Sequence, residues 1–190
     1  DHAGINSIHK MSLIIDAIHK NYLPILKRRS HPYLPSPVAN VAIIQGGIKP
    51  NMVPDHCEMI MDRRMLPDET PEDVRNEIVS IINELQDKDP EINAQVETLM
   101  SMPSFETDSQ NPHVQRLLNS ASEILGSKQK PQGYVAGTDA RLFPPAGIPA
   151  VVFGPGDFSE AHTADERISV AQLLKATQIL TMFTYKTFNT

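Results

Sequence analysis

The chain has 190 residues, 40% of them hydrophobic, and 17 Lys+Arg against 23 Asp+Glu give a formal net charge of −6, which suits one large domain or two small ones and does not suit a polyanion. No basic cluster stands out beyond Lys27-Arg28-Arg29, no apolar run approaches the about 20 residues of a membrane span, and the opening DHAGINSIHKM lacks the layout of a signal peptide, so neither nucleic acid nor membrane is an expected partner. The single cysteine, Cys57, cannot make an internal disulfide or a Cys-x-x-Cys zinc pair, and a cytoplasmic setting is expected.

Apolar residues at Ile5, Ile8, Met11, Ile15, Ile18 and Tyr22 follow helical spacing almost from the first residue, so the chain reads as beginning in mid-structure. They predict a helix from about Gly4 to about Tyr22, with Pro24 as its end because proline lacks the N–H an interior position needs. After a loop carrying Pro32, Pro35 and Pro37, Val38 to Gln45 is β-branched and apolar and reads as a strand running into Gly46-Gly47. Cys57 to Met65 reads as the next strand, with Cys57, Met59 and Met61 on one face and Glu58, Ile60, Asp62 and Arg64 on the other.

Thr70-Pro71-Glu72-Asp73 is a helix start with a hydroxyl cap, a first-turn proline and an acid three residues on. Val74, Ile78, Ile81, Ile82 and Leu85 make its apolar stripe, and Asp89-Pro90 closes it. Ile92, Ala94, Val96 and Thr98 then alternate with polar residues, as a half-buried strand does. Helix, strand, strand, helix, strand is a split β-α-β-β-α-β, ferredoxin-like order without its first strand. Met102 to Asn111 loses periodicity and marks a boundary, giving regions 1–104 and 105–190 of an α/β protein. In the second, Asn111-Pro112 opens a helix with Val114, Leu117, Leu118, Ala121 and Ile124 inward and Gly126 as its C-terminal cap. Gly137 to Arg141 reads as a short helix and Ala150 to Phe153 as a strand. Ser169 with Gln172 opens a last helix carrying Leu173, Leu174, Ile179, Leu180 and Phe183.

The seven histidines form no His-x-His or His-Glu-x-x-His pattern. His9 and His19 are roughly 280° apart around their helix, and His56 and Cys57 point to opposite faces of a strand. Gly137-Thr138 at a presumed helix start suits either an anion or an ordinary N-cap. His162, in FGPGDFSEAHTADERISV (Phe153 to Val170), follows a predicted strand and stands among Glu160, Asp165 and Glu166. That placement suits a ligating or catalytic group as well as a solvated side chain.

GGIKPNMVPDHCEMIMDRRMLP (Gly46 to Pro67), GTDARLF (Gly137 to Phe143) and GIPAVVFGPGDFSEAHTADERISV (Gly147 to Val170) together, in this order and spacing, resemble the M20 metallopeptidase and deacylase family. The wording around His162 is most similar to the acetylornithine deacetylase and desuccinylase branch. The resemblance implies most of a lid, or dimerisation, domain over 1–104 and the C-terminal part of an α/β zinc-peptidase catalytic domain over 105–190. It implies an enzyme that hydrolyses the amide bond of N-acyl amino acids with metal-activated water, using two zinc ions, with cobalt or manganese as alternatives, and acting as a homodimer through the lid.

Residue by residue, the family's substrate-binding asparagine falls on Asn51 and its arginine on Arg64, thirteen positions later; a guanidinium fork suits a carboxylate. Arg63 lies on the other face, and an Asp62 or Glu58 ion pair is the structural alternative for Arg64. Gly137 and Thr138 match the turn beside the substrate carboxylate. His162 matches a metal ligand, with Glu160, Asp165 or Glu166 placed to orient it. The general base, the other ligands and the oxyanion-stabilising histidine match nothing here: Gly4-Ile5-Asn6-Ser7 fits the end of that last motif, and His2 is out of register with it. No catalytic residue is therefore assigned, and the chain by itself is expected to be inactive. A carboxypeptidase or dipeptidase, or a non-catalytic dimerisation module, are the alternative readings.

Overall fold

Ile14, Ile18, Tyr22 and Leu26 are all buried although they stand four residues apart, a spacing that drifts by about 120° over three steps of an ideal α-helix. The computed structural model, which describes residues 4–189, shows how they share a face. Helix α1 (Ser7–Ala17) passes into a π-helical turn, Ile18–Tyr22, and then into α2 (Leu23–Leu26). The Leu23 N–H reaches back to the Ile18 carbonyl, and this wider turn slows the rotation of the stripe. It also corrects the expected stop at Pro24. Proline interrupts the i→i−4 ladder, but the turn ahead of it has already changed register, so the helical run continues to Leu26.

The chain divides into two compact units, Asp1–Ser104 and Phe105–Thr190. In the first, β1 (Ala39–Gly46) and β2 (Cys57–Arg63) form an antiparallel hairpin paired from Ala39↔Arg63 to Gly46↔Cys57, with an irregularity between Val41 and Ile43. β2 alternates as its sequence predicts, Cys57, Met59 and Met61 half-buried and Glu58, Ile60 and Asp62 exposed. Helix α3 (Pro71–Gln86) starts on the expected capping box: the Thr70 hydroxyl accepts from the Asp73 N–H, and the Asp73 carboxylate accepts from the Thr70 N–H, each at 3.1 Å. Ile78 and Ile82 of α3 join Ile14, Ile18, Tyr22, Leu26 and Ile92 in one core, with Met59 and Met61 of β2 packed against it.

The strand expected over 92–98 is not formed. Its side chains behave as predicted, with Ile92 in the core and Ala94 and Val96 against it, but among the described residues the sheet has two strands, β1 and β2. Alternation makes a buried face, whereas a strand also needs a backbone neighbour to exchange N–H and C=O bonds. Lys10 of α1 fixes the turn before this segment through Asp89 and Glu91, each at 2.7 Å.

In the second unit α4 (Pro112–Leu125) and α5 (Val170–Phe188) pack together. Ser120, Ala121 and Ala176 are buried, small enough to let the helix backbones approach, and Lys186 bonds Glu123 at 2.6 Å at the edge. Asn111 caps α4 at its start and Gly126, with φ 69°, at its end; the left-handed conformation there is one glycine adopts without strain. Three 3₁₀ turns follow, Asp139–Leu142, Pro144–Ala146 and Phe158–Glu160. The strand expected over 150–153 is also absent. The Thr107 hydroxyl donates to the Ala150 carbonyl at 2.5 Å and accepts from its N–H at 3.2 Å, which satisfies that one residue, while Val151, Val152 and Phe153 remain exposed. On α5 only part of the predicted stripe is covered: Ile179 is buried and Leu173, Leu174 and Leu180 are exposed.

Candidate functional site

At the end of β2 two consecutive arginines have opposite fates. Strand alternation turns Arg63 inward, where its side chain is 4% exposed, and Arg64 outward, where its side chain is 63% exposed. The Arg64 N–H donates to the Val38 carbonyl at 2.9 Å, and its guanidinium pairs with Asp62 at 2.9 Å. That is the ion pair foreseen as its structural alternative. Both members are exposed, so the pair contributes little and exchanges readily for a better anion.

Arg63 enters a polar cluster that sequence reasoning missed. Its Nε donates to the Tyr22 hydroxyl at 2.9 Å, one terminal nitrogen to Glu69 at 2.6 Å, and the other to the Arg64 carbonyl. Glu69 also accepts from the Leu66 N–H at 2.7 Å and from Arg29, while Arg29 and Tyr22 both reach Glu77. Burial pushes the Tyr22 phenol up to about 12, helped by the Glu77 carboxylate and opposed by Arg63. Burial likewise works to raise Glu69, but the bonds from Arg63, Leu66 and Arg29 outweigh it and hold this carboxyl below its ordinary value. Arg29 looks like part of a basic surface run in the sequence; only the inward face assigned to Arg63 hinted at such a cluster.

Asn51 is exposed in the loop between β1 and β2, where the Met52 N–H closes a turn on Lys49 at 3.1 Å. The Ser7 N–H and hydroxyl hold this loop through the Pro54 carbonyl at 3.0 and 2.8 Å. The loop leaves the hairpin at the Gly46↔Cys57 end, whereas Arg64 follows Arg63 at the Ala39 end. Seven strand residues, Cys57–Arg63, separate those ends by roughly 20 Å.

In the second unit the Thr138 hydroxyl accepts from the Ala140 N–H at 3.3 Å, so the N-cap alternative is realised, on a 3₁₀ turn of four residues; Gly137 beside it is exposed. Arg141 of that turn keeps Nε and one terminal nitrogen buried without a hydrogen bond. His162 is exposed and has φ 63°, the one described non-glycine residue with positive φ. A left-handed backbone costs such a residue about 1–2 kcal/mol, a strain that functional loops hold more often than others. The Glu166 carboxylate accepts from the His162 N–H at 2.9 Å rather than from its ring, and Glu160 is engaged by Arg167 at 3.3 Å. Among the described residues no group of three or more His, Cys, Asp or Glu is placed to hold a metal ion. The donors among the described residues do not by themselves fit a metal centre. His2 lies outside the described residues.

Residues 1–90 match the family model of the M20 peptidase dimerisation domain. The chain is 32% identical over 146 residues to an acetylornithine deacetylase of Myxococcus xanthus, covering 77% of this chain and 37% of that protein. Together these likenesses support an M20-family fragment. Another relative of this chain is the N-formyl-4-amino-5-aminomethyl-2-methylpyrimidine deformylase of Bacillus subtilis strain 168, 29% identical over 196 residues, covering 95% of this chain and 46% of that protein. Its α/β fold is shared with aminopeptidase PepT from Bacillus cereus ATCC 10987, with a TM-score of 0.66 at 22% identity over 91% of this chain and 44% of that one. The chain thus spans less than half the length of each of these proteins. Asn51 and Arg64 fall inside the matched dimerisation domain, and Gly137, Thr138 and His162 outside it. No helix among the described residues is long and apolar enough to cross a membrane.

Proposed function

We propose that this chain forms the lid (1–104) and the C-terminal part of the catalytic domain (105–190) of an amidohydrolase that deacylates N-acyl amino acids, of the acetylornithine deacetylase and desuccinylase type, in the cytoplasm. The observation that carries the reading is Arg64: a guanidinium on a fixed strand end, outward, and held only by an exposed carboxylate. Such a group exchanges Asp62 for a ligand carboxylate at little cost, and its fork bonds both oxygens of that carboxylate.

Within the second unit Gly137 and Thr138 are assigned to a turn that binds a substrate carboxylate, and within the lid Asn51 is assigned to substrate contact. Because Asn51 and Arg64 mark opposite ends of the hairpin, one amino-acid-sized ligand touching both draws them from two copies, which a dimerisation domain supplies. His162 contributes one metal ligand, with zinc the expected ion and cobalt or manganese its alternatives; the remaining donors come from residues this chain does not provide. The packed but unpaired segment 92–98 fits a lid sheet whose first strand precedes Asp1. Exposed Leu173, Leu174 and Leu180 fit a catalytic domain completed from the same side of the sequence.

Two measurements test this. The first is hydrolysis of N-acetyl-L-ornithine, with metal content, for this chain and for the protein extended upstream: the extended protein is active and metal-loaded, and this chain is neither. Metal-free, inactive dimers from a gene that begins near Asp1 would leave a dimerisation module without catalysis. The second is Arg64→Ala in the extended protein, expected to raise KM about 10–100-fold, or about 1.4–2.8 kcal/mol, for N-acetyl-L-ornithine and much less for an N-acetyl amine without a carboxylate. Equal losses on both remove the assignment. A peptidase reading, favoured by the likeness to PepT, gains if dipeptides outrun acyl amino acids.

A further inference from the structure

We propose that Arg63, buried and with no ligand of its own, is the positioning residue of Arg64. Its guanidinium spends its three nitrogens on three separate acceptors: the Tyr22 hydroxyl at 2.9 Å, Glu69 at 2.6 Å, and the main-chain carbonyl of Arg64. The last bond is the informative one, because a side chain has turned back to hold the peptide of the very next residue. The N–H of Arg64 is already given to Val38 at 2.9 Å. Both polar groups of the Arg64 main chain are therefore fixed, while its side chain is free apart from Asp62. A rooted backbone with an exchangeable head is what a carboxylate-recognising arginine requires, since displacement of its Cα moves every nitrogen it can offer, and an error of about 1 Å in placement can cost about 100-fold.

The supports of Arg63 are arranged around that task. One Glu69 oxygen takes Arg63 and the other takes the Leu66 N–H at 2.7 Å, so a single carboxylate spans the turn on both sides of Arg64. Tyr22 reaches the fork because the π-turn ending in it keeps its ring on the core face. Lysine cannot replace the fork: its donors radiate from one atom and do not reach three separated acceptors.

The structural half of this inference stands on the geometry alone; its consequence for the substrate rests on the reading of Arg64 given above. The test is Arg63→Lys, with Glu69→Gln as a second variant that keeps the side-chain shape, both in the upstream-extended protein. Amide hydrogen exchange at Arg64 and Met65 is expected to accelerate about tenfold or more while Ile78 and Ile82 of α3 stay within about threefold. With N-acetyl-L-ornithine, KM is expected to rise about tenfold with kcat little changed, and Arg63→Lys added to Arg64→Ala is expected to cost almost nothing more. Uniform acceleration at all four amides, an unchanged Arg64 amide, a KM effect that survives intact in the Arg64→Ala background, or failure of both variants to fold overturns the proposal. If the wild type hydrolyses no acyl amino acid, the substrate reading falls, and the exchange pattern still decides the positioning.

Discussion

Replacing Tyr22 by Phe removes one oxygen from a residue that is 2% exposed and leaves its ring in the core. That oxygen donates to Glu77 at 2.6 Å and accepts from Arg63 Nε at 2.9 Å. Its loss leaves a buried guanidinium N–H without its acceptor, so at pH 7 the variant should be less stable by about 1–3 kcal/mol. The deficit should then shrink in alkali. The Tyr22 phenol titrates at about 12 in the folded protein against 10.0 ordinarily, because burial disfavours the phenolate and the Glu77 carboxylate repels it. A group whose folded pKa is raised stabilises fully below the unfolded value and loses that contribution as pH rises through the folded one. Between these limits the wild type loses about 1.4 kcal/mol per pH unit more than the variant, or roughly 2–3 kcal/mol over the window. Lysines such as Lys10 titrate in both proteins and cancel in the difference. Urea unfolding followed by far-UV circular dichroism from pH 7 to 11.5 measures this directly. Converging curves support the buried-phenol account; parallel curves refute it, as does a phenolate absorbance difference, wild type minus variant, centred near pH 10.

Leu26→Ala should cost about 2–5 kcal/mol in denaturant unfolding, because Leu26 is 1% exposed and closes the four-residue stripe below Tyr22; a loss under about 1 kcal/mol would mean the helical run beyond Pro24 is not packed. Gly126→Ala should cost about 1–2 kcal/mol from backbone strain alone, since φ is +69° and no atom lies within 4 Å of the added Cβ. Gly126→Asn should recover part of that loss in thermal unfolding, as a residue that tolerates the left-handed region.

How far sequence anticipates structure here depends on whether the feature is local. The Thr70–Asp73 box, the Asn111 and Gly126 caps and the β2 alternation all appear as read, because each involves neighbours within a few residues. The 92–98 and 150–153 segments show the limit. Their composition and alternation suit strands, and the first buries its predicted face, but a ladder depends on a partner that periodicity does not specify. Pro24 failed as a stop for a different reason. The helix breaker was recognisable, but its accommodation by a π-turn follows from the gain in burying Ile18, Tyr22 and Leu26 together, which is a property of the packed core.

The candidate site divides along the same line. Sequence motifs alone singled out Asn51, Arg64, Gly137, Thr138 and His162, and strand parity alone put Arg64 outside and Arg63 inside, because side chains alternate whatever the surroundings. Tertiary structure decided that the inward arginine meets Tyr22 and Glu69 and through them joins Glu77 and Arg29, in a cluster whose hydrogen-bonded residues stand up to 55 positions apart. It also decided that Asn51 and Arg64 stand at opposite ends of one hairpin. A buried charge must find partners wherever the fold brings them, and that search runs through space, where one-dimensional spacing carries no information.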